Sequence, residues 1–175
     1  MNIQLLPLRE EETIAFKEEM QEAFEHGFKS HSHDNVDDAD DSNQWQVLPD
    51  KDFYQSLEAE GAEAYEAISE DGQRVGGAIL SIRKNEGELA FLYVKVGVQS
   101  KGIGQAIWKT IEALHPETEV WETCTPYFDR RNIHFYINRC GFHAVEFFNE
   151  HHPDPHMPEQ FDQEDGLFKF VKRMK

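Results

Sequence analysis

The segment Val94-Lys-Val-Gly-Val-Gln-Ser-Lys-Gly-Ile-Gly-Gln-Ala-Ile-Trp-Lys-Thr-Ile111 decides the fold, because it joins an apolar strand to a glycine-spaced turn and then to an amphipathic helix. Gly102 and Gly104 lack a Cβ atom, so the backbone there can adopt left-handed conformations and approach a ligand closely. The first amides of the following helix have no intrahelical acceptor, and the helix dipole adds partial positive charge at that end. The segment therefore predicts a binding site for a phosphate group.

The spacing of the glycines argues against two common phosphate-binding loops. The chain contains no Gly-x-x-x-x-Gly-Lys-Ser/Thr run. A dinucleotide-binding turn needs a third glycine or alanine where Ile107 stands, although Glu122 lies near the distance expected for its acidic residue. A nucleotide-binding α/β domain is therefore disfavoured and is kept as an alternative.

A second motif lies downstream of the glycine turn. In Asn132-Ile-His-Phe-Tyr-Ile-Asn-Arg-Cys-Gly-Phe142, Asn and Tyr stand on a predicted helix that ends in Gly-Phe. Together with Gln99-Ser-Lys-Gly-Ile-Gly104, this motif resembles the GNAT family of acyl-CoA N-acyltransferases, and the resemblance covers most of the chain from Ile3 to Val171. It implies an α/β (α+β) fold in one domain, with a mixed, mostly antiparallel sheet and helices on both faces.

The resemblance also implies a co-substrate and a set of residues that bind it. Acetyl-CoA would be the acyl donor, and no metal would take part. Val94 and Val96, in the strand before the turn, would present their amides to the pantetheine arm and the thioester carbonyl, and Asn132 would contact the pantetheine or pyrophosphate arm. The turn that would bind the pyrophosphate comprises Gln99, Ser100, Lys101, Gly102, Ile103, Gly104 and Gln105. The family often has proline at the position of Val96, and arginine or glycine at that of Ser100.

Amide formation requires a base and a proton donor. An alkyl ammonium has a pKa of about 10.4, so most acceptor amines are protonated at neutral pH and cannot attack a thioester. The resemblance implies Glu88 as the base, with an exposed hairpin carboxylate as an equally open interpretation and a water chain as the other route for the proton. Burial would raise the pKa of Glu88 toward a useful range. Tyr136 matches the family tyrosine that protonates the departing thiolate, and a packing role in the helix is its alternative.

Composition limits the class of protein. The 175 residues, 39% of them hydrophobic, suit one domain over residues 1–175. The net charge of -17 argues against nucleic acid and anionic membranes as partners, and favours a small-molecule amine or a basic peptide as acceptor.

The sequence lacks a long apolar run and a signal peptide, so we expect a cytoplasmic protein. Cys124 and Cys140 are expected to be core thiols. A homodimer is compatible with the sequence.

Hydrophobic periodicity predicts alternating strands and helices. Strands are predicted over 3–8, 64–69, 74–84, a segment ending at 96, 119–123, 142–148 and 166–172, and helices over 10–28, 51–60, 102–114 and 128–139. Asp71-Gly72 and Asn85-Glu-Gly87 predict hairpin turns. Gly141 is expected to end the last helix in a left-handed conformation.

Two polar segments are expected to be loops. Residues 29–43 are rich in aspartate and predict a mobile acidic loop, which in the family covers the acceptor and would steer a cationic amine. Residues 149–165 contain His151, His152 and His156 among prolines and predict an extended loop beside the acceptor pocket. The spacing in neither segment fits a calcium or zinc site, so no metal is expected.

These observations predict an N-acetyltransferase that transfers an acetyl group from acetyl-CoA to a primary amine, by direct transfer in a ternary complex. The alternative is a non-catalytic acyl-CoA sensor that keeps the phosphate site without transferring the acyl group. The presence of Tyr136 argues against the sensor.

Overall fold

The fold is built on a seven-stranded sheet with the strand order β1-β2-β3-β4-β5-β7-β6. The computed structural model describes residues 2–31, 48–98, 102–127, 129–153 and 166–174, with only the backbone of residues 28–31. Neighbouring strands are antiparallel except β4 and β5, which run parallel. This confirms the predicted mixed, mostly antiparallel sheet. The strands are β1 (Gln4–Pro7), β2 (Ala62–Ile68), β3 (Arg74–Arg83), β4 (Glu86–Val94), β5 (Val120–Pro126), β6 (His143–Phe148) and β7 (Leu167–Arg173).

The helices pack on both faces of this sheet, as expected. A 3-10 turn at Glu10–Glu12 leads into the first helix, and the last helix continues as a π-helical segment over Phe135–Arg139. Among the described residues, no helix combines the length and the apolar character needed to span a membrane. The helices are α1 (Thr13–His31), α2 (Asp50–Glu58), α3 (Ile103–Leu114) and α4 (Arg130–His134).

One face of the sheet is covered by α1 and α2. Phe16 and Met20 recur at helical spacing on α1, are fully buried, and pack with Phe53 of α2 and with Ile79 and Tyr93 of the sheet. The ring of Phe16 meets that of Tyr93 in a T-shaped, edge-to-face contact, with centroids 5.3 Å apart. The predicted apolar stripe on the first helix is therefore its sheet-facing side.

The opposite face is covered by α3 and by the π-helical segment. Ile107 and Trp108 of α3 are buried in a cluster that also contains Leu89, Trp121 and Tyr136. The two indole rings of this cluster meet in a T-shaped, edge-to-face contact, with centroids 5.2 Å apart. The amphipathic helix predicted after the glycine turn thus packs on the sheet and is held in place at its start.

The hairpin turns differ in part from the prediction. Gly72 has φ +84° and lies in the β2–β3 turn, as expected, and Gly141 has φ +86° after the π-helical segment. The β3–β4 turn consists of Lys84 and Asn85, with Lys84 in the left-handed region at φ 54°. Gly87 was predicted in this turn and lies instead within β4, where a Cβ atom would come 2.5 Å from the ring of Trp121.

The two predicted loops lie partly outside the described residues. α1 extends through His31, so residues 29–31 are helical rather than part of the acidic loop, because no proline or glycine stops the helix there. The remaining residues of that loop, 32–43, lie outside the described part of the chain. In the second loop, residues 154–165 lie outside it, while Asn149 and His152 exchange backbone hydrogen bonds of 3.1 Å.

Candidate active site

The sheet opens between its two parallel strands. β4 and β5 pair only over Glu86–Glu88 and Val120–Glu122. Beyond these residues β4 continues beside β3 as far as Val94, and β5 continues beside β7 as far as Pro126. One extra residue in β4, Ala90, forms a bulge opposite β3 and bends the strand at this place. We refer to the resulting gap as the fork.

A polar pair marks the point at which the fork begins. The Oγ1 hydroxyl of Thr123 on β5 donates a hydrogen bond of 2.8 Å to the carbonyl oxygen of Leu89 on β4. Both side chains are buried. The Tyr136 side chain is also buried, and its hydroxyl lies close to the side chain of Thr123. Burial raises the pKa of Tyr136 above its ordinary value, so this phenol stays protonated and can act as a donor.

β4 leaves the fork and is followed by a turn, and α3 begins after this turn. Gly97 has φ +97° in a turn closed by a 3.2 Å hydrogen bond from the amide of Val98 to the carbonyl of Lys95. Gly102 is the N-cap residue of α3 in the left-handed region at φ 74°, and it has no side-chain cap. A Cβ atom on Gly102 would meet no described atom within 4 Å, so there is room beside this residue, and the amides of the first turn have no intrahelical acceptor.

The first turn of α3 packs closely against the π-helical segment. A Cβ atom on Gly104 would lie 3.1 Å from the ring of Phe135, so the approach of these two elements favours glycine. The Nε2 amide of Gln105 donates a hydrogen bond of 3.1 Å to the carbonyl of Arg139. This contact places the backbone of the exposed Arg139 beside the start of α3.

Glu88 lies at the other side of the fork. It is exposed, whereas the next residue, Leu89, is buried in the core cluster that lies between the sheet and α3. Because successive side chains of a strand alternate between faces, Glu88 points to the face that carries α1 and α2. Its register partner on β5, Glu122, is also exposed and forms a 3.6 Å ion pair with Lys169. The side chain of Glu88 is therefore exposed, and its role as the base stays a prediction.

The predicted backbone donors differ in their placement. The amide of Lys95 donates to the carbonyl of Val75 on β3 at 2.8 Å. Backbone groups of successive strand residues point to opposite edges, so the amide of Val94 is directed toward the fork. Val96 lies in the turn after β4, and its side chain packs against the core cluster that lies between the sheet and α1.

The remaining predicted coenzyme contacts are distributed as follows. Gly102, Ile103, Gly104 and Gln105 meet at the start of α3. Gln99, Ser100 and Lys101 lie outside the described residues. Asn132 is committed to a different partner, because its side-chain amide donates a 2.8 Å hydrogen bond to Asp129, the N-cap residue of α4.

The two cysteines of the chain differ in burial. Cys140 is buried, and burial raises the pKa of its thiol to about 12. Cys124, expected in the core, is exposed because it points to the face of β5 opposite Thr123. His152 stacks on Phe148 with ring centroids 5.5 Å apart. Within the described part of the chain, no three His, Cys, Asp or Glu residues are grouped as metal ligands.

Three residues at the site were missed by the sequence analysis. Thr123 lies in a predicted strand, but the neighbouring strand in the sheet was not predicted. Its contact with Leu89 could therefore not be predicted either. Asp129 stands three residues before Asn132, and this spacing is typical of an N-cap residue. Arg139 stands inside the second motif, but its nearness to α3 depends on the packing of Gly104 against Phe135.

Comparison with known proteins identifies the group to which the chain is similar. A family model described as the acetyltransferase (GNAT) family matches residues 15–142. An uncharacterized protein of Bacillus subtilis strain 168, YrkN, is 40% identical over 95% of this chain and 91% of its own length.

Solved structures agree in fold. An acetyltransferase of Bacillus subtilis in complex with CoA has a TM-score of 0.63 at 19% identity, with 99% of each chain covered. A GNAT family acetyltransferase of Elizabethkingia anophelis with acetyl-CoA bound has a TM-score of 0.67 at 15% identity, with the same coverage of 99%. At these identities the likeness establishes a common fold.

Proposed function

Since the chain belongs to the GNAT family of acetyltransferases, we propose that it transfers an acetyl group from acetyl-CoA to the primary amine of a cationic acceptor. The observation that carries this proposal is the fork between β4 and β5. It begins at the hydrogen bond between Thr123 and Leu89, and β4 leads from it to the uncapped start of α3.

The start of α3 is suited to the pyrophosphate of coenzyme A. Gly102 leaves open space above the first turn, and the amides of Ile103, Gly104 and Gln105 supply donors without intrahelical acceptors. Arg139 has its backbone carbonyl bonded to Gln105, and its exposed side chain would supply a cation at this end of the site. The pantetheine arm would then follow β4 into the fork, where the amide of Val94 is directed.

The two faces of the fork support direct transfer in a ternary complex. Tyr136 approaches the fork from the side of α3, and Glu88 lies on the face that carries α1 and α2. A thioester lying in the fork would have a proton donor on one side and a carboxylate on the other. Glu88, or water beside it, would take a proton from the acceptor ammonium to give the free amine that attacks, while Tyr136 would protonate the departing sulfur.

The acceptor is proposed to be a primary amine, because the acceptor-side face is acidic. Glu88 and Glu122 are exposed together on this face, and Lys169 offsets only part of their charge. The chain as a whole carries a net charge of -17. Such a field raises the local concentration of cations and favours a small-molecule amine or a basic peptide.

Calorimetry with acetyl-CoA and assays of thiol release test this function. We expect the intact protein to bind acetyl-CoA with a Kd on the order of micromolar and to release coenzyme A thiol in the presence of a member of an amine panel. Gly102→Glu places a carboxylate where the pyrophosphate would bind and should weaken binding by more than about tenfold. Gly72→Glu is the matched control, because Gly72 also has a left-handed φ and open space around it.

Three results would contradict parts of the proposal. Equal losses of affinity in the Gly102→Glu and Gly72→Glu variants would point to a general effect of backbone strain. Absence of acetyl-CoA binding by the intact protein would exclude the donor. Binding without thiol release across primary, secondary and peptide amines would favour the non-catalytic sensor.

A further inference from the structure

Thr123 occupies a position between the two strands of the fork and Tyr136. It is 3% exposed, and its register partner on β7 is Phe170. Its hydroxyl proton is directed to the carbonyl oxygen of Leu89 at 2.8 Å, so the Thr123 oxygen is left to accept a hydrogen bond. Thr123 therefore connects the backbone of β4 with a side chain of the π-helical segment.

The ring of Tyr136 is fixed by its neighbours. Its centroid lies 5.7 Å from that of Phe142 and 6.0 Å from that of Phe170. With the ring held in this way, the hydroxyl meets Thr123 at the start of the fork. Burial raises the pKa of Tyr136, whereas the nearby hydroxyl of Thr123 lowers it, because a hydrogen bond donated to the tyrosine oxygen would favour the phenolate form.

We propose that Thr123 is a positioning residue for proton transfer by Tyr136: it holds the phenol at the fork and donates a hydrogen bond to the tyrosine oxygen once the proton has left. This inference rests on the proposed function, in which Tyr136 protonates the departing thiolate. A threonine suits this role because its hydroxyl both donates and accepts and can rotate between partners.

The protons and the electron pairs of this step can be followed from atom to atom. The acceptor ammonium first gives one proton to Glu88 or water, the free amine then forms the new C–N bond, and the nitrogen gives a second proton to water as the C–S bond breaks. Tyr136 passes its hydroxyl proton to the sulfur, which keeps the electron pair of the breaking C–S bond. The hydroxyl of Thr123 then turns from the Leu89 carbonyl to the phenolate oxygen, without transferring its own proton. Tyr136 regains a proton from solvent before the next turnover.

The test is a double-mutant cycle on the full chain with an amine that the wild-type protein acetylates. Thr123→Val keeps the shape of the side chain and removes the hydroxyl, and Thr123→Ser keeps the hydroxyl. We expect Thr123→Val to lower kcat by about 10- to 100-fold, the range for a hydrogen bond to a charged group, with KM for acetyl-CoA unchanged. Thr123→Ser should restore most of kcat. In a Tyr136→Phe background, Thr123→Val should cause no further loss.

Thr118→Val is the matched control. Thr118 is 2% exposed and lies before β5, at the paired end of the strand, away from the fork. Its hydroxyl is buried without a hydrogen-bond partner among the described residues, so its removal should leave kcat unchanged. Melting temperatures of all variants distinguish loss of folded protein from loss of rate.

The possible failures are distinguishable. If the wild-type protein binds acetyl-CoA and acetylates no amine, the proposed function is wrong and the role of Thr123 is wrong with it. If Tyr136→Phe keeps the wild-type kcat, the role of Tyr136 is wrong. Two results would overturn only the inference about Thr123, provided that Tyr136→Phe itself lowers kcat. In the first, Thr123→Val is as active as the wild-type protein. In the second, Thr123→Val lowers kcat by the same factor in the wild-type protein and in the Tyr136→Phe variant.

Discussion

Gly87 on β4 lies against the indole ring of Trp121, its register partner on β5, and a Cβ atom on Gly87 would come 2.5 Å from Cζ3 of that ring. Trp121 is fully buried. The contact lies within the short paired part of β4 and β5, just before the fork. The absence of a side chain at Gly87 therefore lets the tryptophan ring lie over β4 where the two strands are still paired.

Replacement of Gly87 by alanine is expected to destabilise the protein. The added methyl group overlaps a ring that cannot move away, because Trp121 is enclosed by Trp108 and other core residues. Overpacking of this kind costs about 1 to 3 kcal/mol. The free energy of unfolding from urea titrations measures the loss. Gly27→Ala in α1 is the opposite control, since a Cβ there meets no described atom within 4 Å and alanine should stabilise the helix by up to about 1 kcal/mol.

A buried ion-pair network joins the start of the chain to the sheet. Glu66 on β2 is 1% exposed and accepts hydrogen bonds from Arg74 at 2.6 Å and from Arg9 at 3.1 Å. Arg74 also contacts Glu12 and Glu19, so the network links the 3-10 turn and α1 to β2 and β3. Burial raises the pKa of Glu66, but the hydrogen bonds from Arg9 and Arg74 outweigh it, and the net pKa is lower than usual.

The stabilisation by Glu66 is expected to depend on pH. Its folded-state pKa lies below the ordinary value of 4.5, so its contribution is fully present above about pH 4.5 and is lost as the pH falls through the folded-state pKa. We expect Glu66→Gln to lower the free energy of unfolding by about 3 kcal/mol at pH 7, and the gap to wild type to narrow below pH 4.5. Glu58→Gln, at an exposed site, should change it by less than about 0.5 kcal/mol. A gap that is constant with pH would contradict this role.

The N-cap of α4 gives a test of Asn132. Asp129 accepts hydrogen bonds from the Asn132 amide N–H at 3.1 Å and from its side-chain amide at 2.8 Å. Asp129→Ala is expected to lower the free energy of unfolding by about 1 kcal/mol. Asn132→Ala loses only the second of these bonds, so it should cost less and leave KM for acetyl-CoA within about twofold of wild type. A tenfold rise in KM for Asn132→Ala alone would assign Asn132 to the coenzyme site.

Local patterns in the sequence were sufficient for much of the fold. The spacing of Phe16 and Met20 predicted the buried face of α1, and Gly102 and Gly141 were predicted in left-handed positions that the backbone requires. The two motifs gave the family, which a family model over residues 15–142 supports independently. These features depend on residues close together in the chain.

Features that depend on the register between distant strands could not be predicted. Gly87 looked like a turn residue because its contact with Trp121 exists only when β4 and β5 pair in one register. The same holds for Thr123 and Leu89. Whether Glu88 is buried depends on the face it occupies, and a shift of one residue in a strand would exchange the two faces. The sequence near each of these residues contains no information about its cross-strand neighbour.

Glu88 and Glu122 provide a matched pair for the base. They are register partners on parallel strands, both are exposed, and both face the acceptor side of the fork. If Glu88 removes the proton of the acceptor ammonium, Glu88→Gln should lower kcat/KM for the amine by about 100-fold or more, since general-base catalysis contributes about 100- to 10,000-fold. Glu122→Gln should change it by less than about threefold, because Glu122 already has Lys169 as an ion partner. Rates are measured against pH from 6 to 10. A different result would assign proton removal to water. In that case both substitutions have equally small effects, and kcat/KM keeps rising with pH toward the pKa of the amine in solution, about 10.4.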